Sequence, residues 1–108
     1  MPERIEGKSH EKITVHADAD LKDLISQFLE NWRAETKSMR DALEKDDYET
    51  IRTLGHNMKG TAGACGFDDV TDMGAHLEAA AKQKDNDTIQ KTLDALASYF
   101  ERVEVMYE

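Results

Sequence analysis

The side chains best suited to nucleophilic or phosphate chemistry in this 108-residue chain are four His, one Cys and 14 Lys and Arg. One segment brings several of them together: Leu54-Gly55-His56-Asn57-Met58-Lys59-Gly60-Thr61-Ala62-Gly63-Ala64-Cys65-Gly66-Phe67. Imidazole is nucleophilic near neutral pH because its ordinary pKa lies near 6.5. It can accept a phosphoryl group and release it again. Lys59, three positions after His56, is its neighbour if the segment is helical, and an ammonium there pairs with phosphate oxygens. Lys59-Gly60-Thr61 superficially resembles the end of a phosphate-binding loop. It lacks the preceding Gly at the right spacing and lies within a helix, so no nucleotide pocket is indicated. Both the donor and the next acceptor must then come from a partner.

The helix that positions His56 is predicted from about Asp47 to Ala64, with Asp47 as cap and Gly66 as its stop. Its apolar stripe is Ile51, Leu54, Met58, Ala62 and Cys65. At about 100° per residue, with Ile51 at zero, that stripe falls within about 60°. Lys59 lies at about 80°, Arg52 at about 100°, Gly63 at about 120°, His56 at about 140° and Gly60 at about 180°. His56 therefore points away from the core. Arg52 borders the same face, as a helper for phosphate or as a solvated charge. Gly in a helix interior costs about 0.8–1.0 kcal/mol against Ala, so Gly60 and Gly63 are not explained by stability. Close approach of another molecule to the backbone beside His56 explains them. Gly55 and Gly74 sit on core flanks and are expected to permit tight contact between the second and third helices.

Three further helices follow from 3.6-residue periodicity. The first starts at Asp18 and carries Leu21, Leu24, Ile25, Phe28, Leu29, Trp32, Met39 and Leu43, with a bend allowed near Ala34 to Ser38. The third begins after Phe67 with Asp68 as cap and carries Val70, Met73, Leu77, Ala80 and Ala81. The fourth is capped by Asn86 and Asp87 and carries Ile89, Leu93, Leu96, Phe100, Val103 and Tyr107. No stretch has strand alternation flanked by hairpin turns. The expected fold is all-α: an antiparallel up-down four-helix bundle over residues 18–108, with residues 1–17 as a tail or linker stub. Within that extension, Lys12-Ile13-Thr14-Val15-His16 alternates and fits a short extended piece laid on the domain.

Composition narrows the function. There are 23 acidic residues, and the net charge is -9. That argues against nucleic acid and anionic membrane surfaces as partners. No apolar run approaches the ~18 residues of a membrane span. No signal peptide is visible, and the expected location is cytoplasmic. A single Cys65 excludes an internal disulfide and a Cys-based zinc cage. His10 and His16 are expected to be inert, and His76 with Asp72 to be a surface pair. No Glu-x-x-His pairs of a di-iron bundle occur. Met58 and Met73 are read as core filler, Trp32 as packing on the bundle end or over the tail, and Cys65 as a small buried apolar residue.

The His56 segment resembles the signature of histidine-containing phosphotransfer (HPt) domains: His, two residues, Lys-Gly, a small hydroxyl residue, several small residues, then Gly and an apolar residue. Leu77-Glu78 looks like the family's Leu-Glu pair, and Asp46-Asp47 like its acidic cap. Thr61 stands where Ser is commoner, and Cys65 where Leu or another apolar residue is usual. The resemblance implies a monomeric phosphoryl carrier without kinase or ATP-binding machinery. It implies that His56 accepts a phosphoryl group, usually through Nε2, from a receiver-domain aspartate or a hybrid kinase and passes it to another receiver. It makes Lys59 the phosphate-side cation and Gly60 and Gly63 the docking face, which Arg52 borders. No cofactor is implied for this chain, the Mg²⁺ of transfer belonging to the receiver. The other reading is an HPt-like docking module that binds a receiver or kinase without carrying phosphate. A sensor-kinase dimerisation helix fits less well: Asn57 follows the His where an acidic residue is usual, and the only Pro is Pro2.

Overall fold

The computed structural model describes residues 11–108. His10 and the amino-terminal ten residues of the expected tail lie outside the described residues. The element order is β1 (Ile13–Ala17), a 3₁₀ turn (Ala19–Leu21), α1 (Lys22–Glu44), α2 (Tyr48–Cys65), α3 (Asp68–Lys82), α4 (Asn86–Arg102) and β2 (Val103–Tyr107). Four helices form the expected bundle, with Ile25, Trp32, Met39, Ile51, Met58, Leu77, Leu93 and Leu96 in its core. No helix among the described residues is long and apolar enough to cross a membrane.

Short connections follow from the way the helices end. Asp46, Gly66 and Lys84 each adopt the left-handed conformation after α1, α2 and α3, with φ of 57°, 79° and 55°. At each junction the next amide reaches back to the last turn: Asp47 to the Ala42 carbonyl, Phe67 to Ala62, and Asp85 to Ala80, at 2.8–2.9 Å. These bonds satisfy carbonyls that the helix leaves unpaired and reverse the chain at once. Asp47 then caps α2 as expected, accepting from the Thr50 amide and hydroxyl. The fourth helix is capped one residue earlier than expected, by Asp85. Phe67, not Asp68, occupies the cap position of α3, and Asp18 caps the 3₁₀ turn.

Several expectations are corrected. The helix α1 runs without a break through residues 34–38. Leu24 is 47% exposed and Leu21 is also exposed, so the core stripe begins at Ile25. Trp32 is inside the core, in ring contact with Phe28, Phe67 and Phe100. Cys65 is half-buried. The last helix stops at Arg102, so Val103 and Tyr107 are strand residues. The spacing from Leu96 through Phe100, Val103 and Tyr107 also suits a helix, which is why periodicity alone extends it. Val-Glu-Val-Met-Tyr has a two-residue alternation as well, and that pattern prevails because a partner strand is present.

The partner is β1. The two strands pair in parallel, Ile13 beside Val103, Val15 beside Val105 and Ala17 beside Tyr107. Parallel strands require a long crossover, and here the whole bundle serves as one. Ile13, Val15, Ala17, Val103, Val105 and Tyr107 pack on the core, while Thr14, His16, Glu104 and Met106 face outward. The expected boundary at residues 17 and 18 therefore falls within one packed body, and the extended piece at Lys12 to His16 is a strand of it.

Candidate functional site

The site is set by how closely α2 and α3 approach. A Cβ added to Gly74 would lie 2.8 Å from the Gly55 carbonyl oxygen and 2.8 Å from the Lys59 amide nitrogen. One added to Gly55 would lie 3.0 Å from the Gly74 carbonyl oxygen and 3.1 Å from the Glu78 amide nitrogen. The two helices are thus in backbone contact, as the sequence suggests for these two glycines. Only residues without a Cβ permit it. Antiparallel packing at that distance puts residue 78 of α3 beside residues 56 and 59 of α2.

Glu78 joins both. Its Oε2 lies 3.2 Å from His56 Nδ1, and its Oε1 accepts from Lys59 Nζ at 2.9 Å. The Glu78 side chain is 15% exposed, Lys59 38% and His56 61%. The hydrogen bond from Lys59 holds the Glu78 carboxyl below its ordinary value. It outweighs desolvation, with smaller help from the Lys59 charge and from His56. An ionised carboxylate only accepts hydrogen bonds, so His56 Nδ1 is the donor. In the neutral ring that places the proton on Nδ1 and leaves the Nε2 lone pair free. Nε2 has no hydrogen-bond partner among the described residues.

The other expected residues fall around this trio. Arg52 lies one turn before His56 and is held by Glu49 of its own helix through Nε and Nη2. A Cβ added to Gly60 would have no atom within 4 Å, and one added to Gly63 would meet only the Thr71 hydroxyl, at 3.8 Å. Both glycines are exposed. The Thr61 hydroxyl points inward, accepting from Trp32 Nε1 at 2.9 Å. It ties α2 to α1 and does not face the His56 side. His76 is exposed, with no hydrogen bond or ion pair to Asp72 among the described residues. No group of three or more His, Cys, Asp or Glu among the described residues could hold a metal ion.

Glu78 is the site residue that sequence reasoning misses. Leu77-Glu78 is visible as a pair, but nothing local to α3 assigns the carboxylate a part. The available signal is the pair of glycines. Gly55 adjoins His56, and Gly74 precedes Glu78 by one helical turn, so their contact sets Glu78 against the His56 face.

Chemically, the arrangement presents a nucleophilic nitrogen on an exposed helix face, a cation one turn away and a bare stretch of helix beyond. A concavity of about 750 Å³ near the α2 amino end is lined by Arg52, Tyr48 and Lys84 among others, and does not include His56. Small-molecule reactions use enclosed pockets. An exposed nucleophile beside cleared backbone suits a reactant carried on another protein.

No curated protein and no solved structure gives a match. The family model described as Hpt domain matches residues 23–105, which includes all of α2 and α3 and therefore His56, Lys59 and Glu78. With the four-helix architecture and the match running through most of its length, the chain belongs to the Hpt domain family.

Proposed function

We propose that this chain is a phosphorelay carrier that accepts a phosphoryl group on His56 Nε2 from a receiver-domain aspartate and passes it to a second receiver. Family membership gives the coarser statement: Hpt domains are phosphotransfer modules of two-component systems that work with receiver domains. The observation that carries the finer reading is the exposed His56 ring with Nδ1 bonded to Glu78 and Nε2 unpartnered among the described residues.

The aspartyl phosphate of a receiver docks over Gly60 and Gly63. Neutral His56 attacks phosphorus in line through Nε2. The N–P bond forms, the P–O bond breaks, and the aspartate carboxylate leaves with the electron pair. Lys59 stabilises charge on the phosphoryl oxygens. Arg52 serves as a second cation along the same face. Mg²⁺ is supplied by the receiver. The chain itself acts as a monomeric cytoplasmic carrier, without kinase activity of its own.

The test is intact-mass spectrometry after treatment with phosphoramidate, on wild type and His56→Gln, each before and after mild acid. One acid-labile phosphoryl group on wild type and none on His56→Gln is expected. Equal modification of both, or none, would favour a module that docks a receiver without carrying phosphate.

A further inference from the structure

The groove between α1 and α4 carries cations that the transfer site does not use. Arg33, Lys37 and Arg40 recur at steps of four and three along α1, so they share one side of that helix. Ala97 and Phe100 of α4 supply the apolar wall of the groove, which holds about 300 Å³. Thr36 lines it too. Its hydroxyl is spent on the Trp32 carbonyl at 2.8 Å, so its methyl is the group left for the groove.

The two arginines are fixed. Arg33 Nη2 donates at 2.8 Å to the Phe100 carbonyl, one of those that the end of α4 leaves unpaired. Its guanidinium lies 6.0 Å from the Phe100 ring centre. Arg40 Nη2 donates to Asp94 Oδ1 at 2.8 Å. Lys37 falls between them in sequence and has no hydrogen bond or ion pair among the described residues. Three cations thus meet two carboxylates, Asp94 and Glu101. One positive charge is left over, in a chain whose net charge is -9.

We propose that this groove binds a small organic monoanion, a carboxylate on a short apolar body, with the carboxylate on Lys37 and the body on Ala97 and Phe100. The charge left over matches one negative charge; a dianion would meet Glu101 with no second free cation. The volume is at the small end for ligand clefts, which limits the body to about one ring or a short chain. The lining comes from α1 and α4 alone, so the ligand and the phosphoryl group are held at separate places.

The test titrates the full chain with sodium 4-phenylbutyrate at fixed ionic strength, and backbone amide NMR reads where it binds. Saturable shifts are expected at Thr36, Lys37, Ala97 and Glu101, with none at His56 or Gly60. The expected Kd is about 1 mM, as ordinary efficiency gives for a ligand of about a dozen atoms. The alcohol 4-phenylbutanol keeps the body and lacks the charge, and should bind about fivefold more weakly. Lys37→Gln should lose about the same factor for the acid and nothing for the alcohol. Ala97→Leu fills the groove and should abolish saturable binding of both. Circular dichroism melts establish that the variants fold. Shifts that never saturate, that centre elsewhere or that survive Ala97→Leu would overturn the site. Equal affinity for acid and alcohol would overturn its charge preference. The same amides moving as the unliganded chain is concentrated would put a second copy in the groove instead.

Discussion

At the scale of residues, the trio of His56, Lys59 and Glu78 ties chemistry to stability through one carboxylate. The Glu78 carboxyl is held below its ordinary value of 4.5, chiefly by the hydrogen bond from Lys59. A group depressed in the folded state stabilises the fold above its unfolded pKa, and that contribution is lost as pH falls through the folded value. Glu35 acts in the other sense. Burial raises its carboxyl, and its Oε1 has no hydrogen-bond partner, so acid relieves a cost there. The acid limb of wild type alone mixes the two. Comparing wild type with Glu78→Gln isolates the first: wild type should melt higher at pH 7, and the gap should narrow as pH falls through the lowered value of the folded state. A gap that is constant with pH would show that the ion pair contributes nothing to stability. His56 and Lys59 are readable in the sequence because their relation is local, three positions apart on one helix. Glu78 lies 22 positions from His56. Its place depends on the register between two helices, which periodicity within either helix does not contain.

At the scale of elements, the glycines divide by what surrounds them. Gly74 faces backbone of α2, with the Gly55 oxygen and the Lys59 nitrogen both 2.8 Å from where a Cβ would sit. Neither is the end of a flexible side chain, so the helices must move apart. Gly74→Ala should cost about 1–3 kcal/mol, as overpacking does. It should lower the melting temperature by roughly 4–8 °C per kcal/mol. It should also weaken the contact between Glu78 and His56. Gly60 has open space where a Cβ would go. Gly60→Ala should stabilise the helix by about 1 kcal/mol while slowing transfer from a receiver. Thermal melts with a receiver-transfer assay check both, and a Gly60→Ala variant that melts lower than wild type would refute the contrast. Sequence reasoning separates the packed glycine from the open one, because a helical wheel distinguishes a core flank from an outer face. It places helix starts less well. Asp85, Asn86 and Asp87 can all cap, and the choice is made by the left-handed turn at Lys84, a residue with no marked preference for that conformation.

At the scale of the whole molecule, the bundle carries a clasp that lies outside the candidate site. The site is built from α2 and α3 alone, whereas β1 and β2 pair beyond the ends of α1 and α4. The clasp joins the first described element to the last. Glu108 accepts from the Ala19 amide and donates to the Ala17 carbonyl, while Lys22 lies over the Tyr107 ring at 5.7 Å. Ile13 and Val15 are half-buried against the core. Half the value of burying such a side chain is about 1 kcal/mol, so removing both costs about 2 kcal/mol. A chain beginning at Asp18 should therefore remain folded and helical but melt about 8–16 °C lower. His56 should still take phosphate from phosphoramidate, because the contact between Gly55 and Gly74 that aligns Glu78 is untouched. Melting curves and phosphorylation of the shortened chain decide the matter. An unchanged melting temperature would make the strand pair energetically idle. Loss of phosphorylation in a chain that is still helical would mean that the clasp reaches the site through α1 and the bond from Trp32 to Thr61.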